Sequence, residues 1–154
     1  MINQLHTLNE DEKKTILDAP LLVAILIAGA DKNIDTAEKE KTMTLIHTKT
    51  FSEHHELADN IYKALDENAE ERWNNVALGL SSNPKFRTPE IQDRLAELNS
   101  ILPKLSLGFA IEYYNSLKDF AVYVANASGG IFGIGSISDK EKELLDLKMI
   151  NKPS

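Results

Sequence analysis

Three oxygen-bearing side chains stand at alternate positions in Asp31-x-Asn33-x-Asp35, the opening ligand pattern of a calcium-binding EF-hand loop. The rest of such a loop is missing. Thr36 replaces the sixth-position glycine and Thr42 the bidentate twelfth-position glutamate, which excludes an EF-hand. A looser site remains, with Asp31, Asn33, Asp35 and Glu38 meeting Glu141 if two acidic loops lie side by side; hard oxygen ligands of this kind favour Ca²⁺ or Mg²⁺. The same residues have a purely structural reading. Asp35-x-x-Glu38 has the spacing of a capping box, Asp31 and Asn33 are common turn residues, and Lys32, Lys39 and Lys41 dilute the local negative charge.

A second stretch, residues 129–136, carries no charge and exposes its backbone, so it can approach a ligand or a protein partner closely. Gly129, Gly130, Ile131, Phe132 and Gly133 make up its candidate partner-binding tip. It is not a phosphate loop, because the Lys-Ser/Thr pair of a Walker motif is absent and the expected order is helix, loop, helix. Two readings stand: Ile131, Phe132 and Ile134 fold back as a lid over the bundle, or they dock on a protein that the sequence does not name.

Catalytic chemistry has no comparable signal. The chain lacks cysteine, which rules out a disulfide framework, a thiolate zinc site and a cysteine nucleophile. His54 and His55 are sequence neighbours that diverge on a helix, and all four histidines read as surface residues. Trp73, Tyr113 and Tyr114 sit in apolar helical stripes and read as core. No nucleophile and base fall into a recognisable arrangement, so the expectation is a protein that is not an enzyme.

The elements that must position these loops are helical. Residues 21–28 are all apolar, so a helix built there is hydrophobic on every side and must be surrounded by others. A membrane span needs ~20 predominantly apolar residues, and this run meets Asp31, Lys32 and Asp35 too soon. Asn9-x-x-Glu12 predicts a cap for a short first helix that stops near Asp18, with Ala19-Pro20 starting the central helix and Gly29 allowing a tight reversal after it. A third helix is expected over residues 36–49, offering Met43, Leu45 and Ile46 to the core. A fourth, capped by Ser52, carries Leu57, Ile61, Ala64 and Leu65, and a fifth carries Trp73, Val76, Ala77 and Leu80. Residues 81–88 form the expected linker, with Thr88 capping a sixth helix that carries Ile91, Leu95, Leu98 and Leu102 and ends near Pro103. A seventh presents Phe109, Tyr113, Leu117, Phe120, Ala121 and Val124. Ser138 caps a last helix with Leu144, Leu145 and Leu147, and the tail 151–154 is expected to fray.

The grammar of the first acidic loop returns. Ala28-Gly29-Ala30-Asp31, Ile34 and Glu38 are echoed by Ala125-Asn126-Ala127-Ser128, Ile137 and Glu141, with Ser138-x-x-Glu141 as a second capping-box spacing. The expected architecture is an all-α single domain of about seven to eight helices spanning residues 1–154. Its two divergent related halves cover about 1–80 and 89–150.

At these residues, A-G-A-D-K-N-I-D-T-A-E in the first half and A-N-A-S-G-G with I-S-D-K-E in the second, the chain resembles the TerB-like family of tellurite-resistance and stress proteins. The resemblance implies an all-helical bundle of two related halves, with acidic residues of paired loops binding divalent cations. It also implies a non-enzymatic stress-response or scaffolding role. Ser128 and Ser138 stand where that pattern would have acids. The competing expectation is an ion-independent interaction domain that docks through residues 129–136. No His-Pro-Asp tripeptide of a J-domain occurs.

The whole-chain balance agrees with a soluble, cytoplasmic expectation. Its 154 residues suffice for one compact domain, 42% hydrophobic and 27% charged. A net charge of −7 opposes non-specific contact with nucleic acid or anionic lipid, and the N-terminus lacks the basic start and apolar core of a signal peptide.

Overall fold

In the computed structural model, residues 3–30, 34, 36–48, 55–129 and 143–154 are described. Among them the chain is helical: α1 (Glu10–Ala28), α2 (Thr36–Thr48), α3 (Asp59–Glu67), α4 (Ala69–Leu78), α5 (Pro84–Ala96), a single turn α6 (Leu98–Ile101) and α7 (Leu107–Gly129). The helical bundle expected from the sequence is present, with six helices of nine residues or more in place of seven to eight.

One pair of expected helices has merged into one. The Asn9 carboxamide accepts from the Glu12 amide at 2.8 Å while the Asn9 amide donates to the Glu12 carboxylate at 3.0 Å, so the predicted capping box forms. The helix it opens does not stop at Asp18. It runs through Pro20 and merges with the predicted central helix. Proline inside a helix removes the bond from its own nitrogen to the carbonyl four residues back, here that of Ile16. That carbonyl is not orphaned, because the Tyr113 hydroxyl of α7 donates to it at 2.7 Å. Burial, then the neighbouring Tyr62 and Asp18, push the Tyr113 phenol well above its ordinary pKa, which keeps it protonated as a donor.

At the other end of the chain, most of the expected last helix, Ser138 included, lies outside the described residues; Glu143 and Leu144 are helical, and Leu147 has left helical geometry with φ 47°. Leu147 and Ile150 are nevertheless buried. The tail is pinned, since the Asn99 carboxamide donates to the Met149 carbonyl at 2.9 Å and accepts from the Asn151 amide at 2.8 Å. Helix α5 also begins earlier than predicted. Asn83, not Thr88, is its cap, accepting from the Lys85 amide at 3.0 Å with Pro84 as the first helical residue. Ser52, the predicted cap of the fourth helix, lies outside the described residues.

Each of α2 to α7 touches α1, which is buried at Ile16 and continuously from Asp18 to Ala28. The stripes predicted for α5–α6 and α7 all face this core: Ile91, Leu95, Leu98 and Leu102, then Phe109, Tyr113, Leu117, Phe120, Ala121 and Val124. Helices α1 and α7 run in the same direction, since Glu12 pairs with Lys104 just ahead of α7 and Ile16 pairs with Tyr113 inside it. Helix α5 runs against α1, with Arg94 near Asp18 and Arg87 at Gly29.

Asp18 is the one charge buried in the middle of α1, its side chain 3% exposed. Arg72 of α4 donates to it at 3.0 Å, Lys14 reaches it at 3.2 Å and Arg94 of α5 at 3.9 Å. Removing one member of such a buried pair leaves the other without its counter-charge, which is what makes the loss costly. Asp18→Asn, nearly the same in shape, is therefore expected to lower stability by about 2 kcal/mol, the order of a hydrogen bond to a charged group. Urea unfolding should show a lower midpoint with an unchanged slope; an unchanged midpoint would mean that Asp18 does not tie α4 and α5 to α1.

Candidate functional site

The end of α1 where the acidic loop begins is built around one glycine and one arginine. Gly29 closes the helix, its amide donating to the Ile25 carbonyl at 2.9 Å. Helix carbonyls at this end carry partial negative charge and attract cations. Arg87 of α5 supplies one: its Nη2 donates to the Gly29 carbonyl at 2.7 Å and its Nη1 to the Ser82 carbonyl at 3.1 Å. The residue is only 4% exposed. Burial lowers its pKa, the nearby Glu90 opposes that, and a guanidinium remains charged.

This approach explains the glycine. A Cβ at residue 29 would lie 2.6 Å from Arg87 Nη2, 2.6 Å from Ile34 Cδ1 and 2.8 Å from the Ile25 carbonyl. Its φ of −102° is open to any residue. Close approach, and not the tight reversal expected from the sequence, is what keeps residue 29 small.

The first turn of α2 faces the same region. Glu38 is buried at 6% exposure, and the Thr42 hydroxyl donates to its carbonyl at 2.9 Å. Lys39 ties α2 to α4, donating to the Glu70 carboxylate at 3.0 Å and the Asn74 carboxamide at 3.1 Å. Between these elements and the α4–α5 turn lies a cleft of about 570 Å³, lined by Ile25, Ile34, Trp73 and Leu80 together with Lys39 and Arg87. A second cleft, of about 680 Å³, is shared by Ala30, the N-terminal turn of α5, and Glu143 with Leu144.

Of the predicted ion ligands, Glu38 is described, whereas Asp31, Asn33, Asp35 and Glu141 lie outside the described residues, as do Gly130, Ile131, Phe132 and Gly133 of the predicted docking tip. Gly129 is the last residue of α7. Among the described residues no three His, Asp or Glu side chains are grouped so as to hold a metal ion. On the described part alone, the residues do not make an ion site.

One polar pair escaped the sequence. His55, predicted to be a surface residue, is 9% exposed, and its Nε2 meets the Asp119 carboxylate at 2.6 Å. Its partner is 64 residues away, so no local pattern announces it. Nearby on α7 the fully buried Ser116 donates its hydroxyl to the Tyr113 carbonyl at 2.7 Å and meets the Tyr62 hydroxyl at 2.8 Å. A hydroxyl so committed and sealed from solvent fixes helix packing and is not placed to attack a substrate.

Compared with known proteins, the chain matches no family model, and neither a curated protein nor a solved structure is detectably similar to it.

Two glycines at helix ends separate close approach from open space. Gly29→Ala should cost roughly 1–3 kcal/mol, as overpacking does. Gly79→Ala, whose added carbon would meet nothing nearer than 3.6 Å, should be neutral or stabilise by up to ~1 kcal/mol. Equal urea midpoints for the two variants would refute the Arg87 contact as the reason for Gly29.

Proposed function

We propose that the chain is a TerB-like, non-enzymatic module of stress response or scaffolding, and that the acidic loop after α1 takes up Ca²⁺ or Mg²⁺. The observation that carries this reading is the pairing of α1 with α7. Ile16 and Tyr113, which meet through a hydrogen bond, are separated by 97 residues. Ala28 and Ala125, which start the two related loop sequences, have the same separation. A duplicated half-bundle whose halves are related about an axis along these helices would pair them in this register.

Parallel α1 and α7 leave at the same end of the bundle, which favours a shared ion site over two separate loops. Ala30 and Glu143, on one cleft, support the same placement. So does the match of Glu38-Lys39-Glu40 with Glu141-Lys142-Glu143, which extends the internal repeat beyond the loops. No described helix is long and apolar enough to cross a membrane.

A ligand present at a hundred times its dissociation constant stabilises the folded state by about 2.7 kcal/mol, and each kcal/mol moves the melting point of a chain this size by roughly 2–4 °C. Millimolar Ca²⁺ or Mg²⁺ should therefore raise it by several degrees. Asp31→Asn, which a capping role for Asp35 and Glu38 does not require, should erase that rise while leaving the ion-free protein nearly as stable. A wild-type melting curve unmoved by either ion up to about 10 mM would remove the ion. The ion-independent interaction domain docking through residues 129–136 would then stand in its place.

A further inference from the structure

We propose that Lys14, Arg72 and Arg94, gathered around Asp18 where α4 and α5 meet the middle of α1, bind a phosphate dianion, as the free ion or as the monoester group of a small molecule. This cluster shares no residue with the two clefts near Gly29 and depends on neither the divalent ion nor the TerB-like reading. Three cations there face one carboxylate. Lys14 stands 3.2 Å from Asp18, Arg72 3.0 Å and Arg94 3.9 Å, which leaves two positive charges in excess in a chain whose net charge is −7. Among the described residues no second carboxylate comes within ion-pair distance of any of the three.

The arginine donors are largely unspent. Arg72 gives Asp18 one bond from Nη1, while its Nε is buried and has no hydrogen-bond partner among the described residues. The Arg94 guanidinium, at 3.9 Å, is beyond hydrogen-bond reach of Asp18 and makes no hydrogen bond to any other described side chain. Buried donors are almost always met, so one left over on a charged group calls for a partner. An ion can reach the cluster, since the side chains of Arg72 and Arg94 are 23% and 33% exposed and that of Lys14 is 62% exposed.

Charge and geometry together choose the ligand. Like charges in a partly desolvated place repel more strongly than in water, and an anion set between them relieves that repulsion. A monoanion would cancel only one of the two excess charges. A phosphate monoester carries about −1.5 to −2 charges near pH 7 and three acceptor oxygens, which matches the excess. Guanidinium groups pair with phosphate oxygens two bonds at a time, which suits two arginines with donors to spare. Asp18 stays in place as the partner of Arg72 Nη1, and its own charge weakens the hold on the ligand.

Melting of the intact protein in sodium phosphate up to about 20 mM, against sodium chloride of equal ionic strength, should show a phosphate-specific rise of a few degrees. Arg94→Gln, which breaks no hydrogen bond among the described residues, should lose that rise. Phosphate acting only as a salt excluded from the surface would instead raise wild type and Arg94→Gln alike. In calorimetric titration Asp18→Asn, freed of the competing charge, should bind phosphate about fivefold more tightly than wild type or better. Should that variant not fold, Lys14→Gln, at an exposed position, should weaken phosphate by a similar factor. Glycerol phosphate separates the two sources: affinity comparable to that of phosphate makes a monoester the ligand, and binding of phosphate alone makes it the free ion. No phosphate-specific rise in the wild type, or an equal rise in Arg94→Gln, would overturn the proposal.

Discussion

Pro20 sits in the middle of the most buried helix of the molecule and leaves the Ile16 carbonyl without its helical partner. An unmet carbonyl inside an apolar core costs about 1–3 kcal/mol, and here the Tyr113 hydroxyl meets it. Much else follows from that bond. It lets α1 continue through the proline, so that a single rod can be surrounded by α2 to α7. It also fixes α7 against α1 in direction and register, because only one hydroxyl on the α7 stripe reaches the vacant carbonyl. The Tyr62–Ser116–Tyr113 chain beside it satisfies the buried hydroxyls of Tyr62 and Ser116.

Two arginines then place α5 against the same rod. Arg94 approaches Asp18 at mid-helix and Arg87 holds the Gly29 carbonyl at the helix end, so α5 is referenced to α1 at two points along its length. The cleft wall depends on this. Arg87 brings the Ser82 carbonyl and the α4–α5 turn to the end of α1, while Lys39 draws α2 onto α4. Fold and candidate binding surface are thus set by the same few polar contacts in an otherwise apolar interior.

How much of this was legible in the sequence depended on range. The α5–α6 and α7 stripes follow helical periodicity, a local property, and each of their predicted residues is buried. The Asn9 capping box is local too, and forms. Errors came where a distant side chain overrode a local signal. Pro20 reads as a helix start until Tyr113, 93 positions further on, supplies the missing donor. Thr88-Pro89 is a sound start signal, but Asn83-Pro84 lies ahead of it, and the carbonyl that Pro89 leaves belongs to exposed Lys85, where water can satisfy it. His55 has no sequence signal because its partner is on another helix. In the acidic motif, Gly29 is explained by Arg87, a residue to which the motif itself does not point.

The central claim is that the Tyr113 hydroxyl substitutes for the hydrogen bond that Pro20 removes. It is tested most directly by a double-mutant cycle of Tyr113→Phe and Pro20→Ala, read by urea unfolding. In the wild-type background Tyr113→Phe strands the Ile16 carbonyl and should cost about 1–3 kcal/mol. In the Pro20→Ala background the restored amide at residue 20 can donate to that carbonyl, so the same change should cost distinctly less, with a coupling of at least ~0.5 kcal/mol. An identical cost for Tyr113→Phe in both backgrounds would contradict the account.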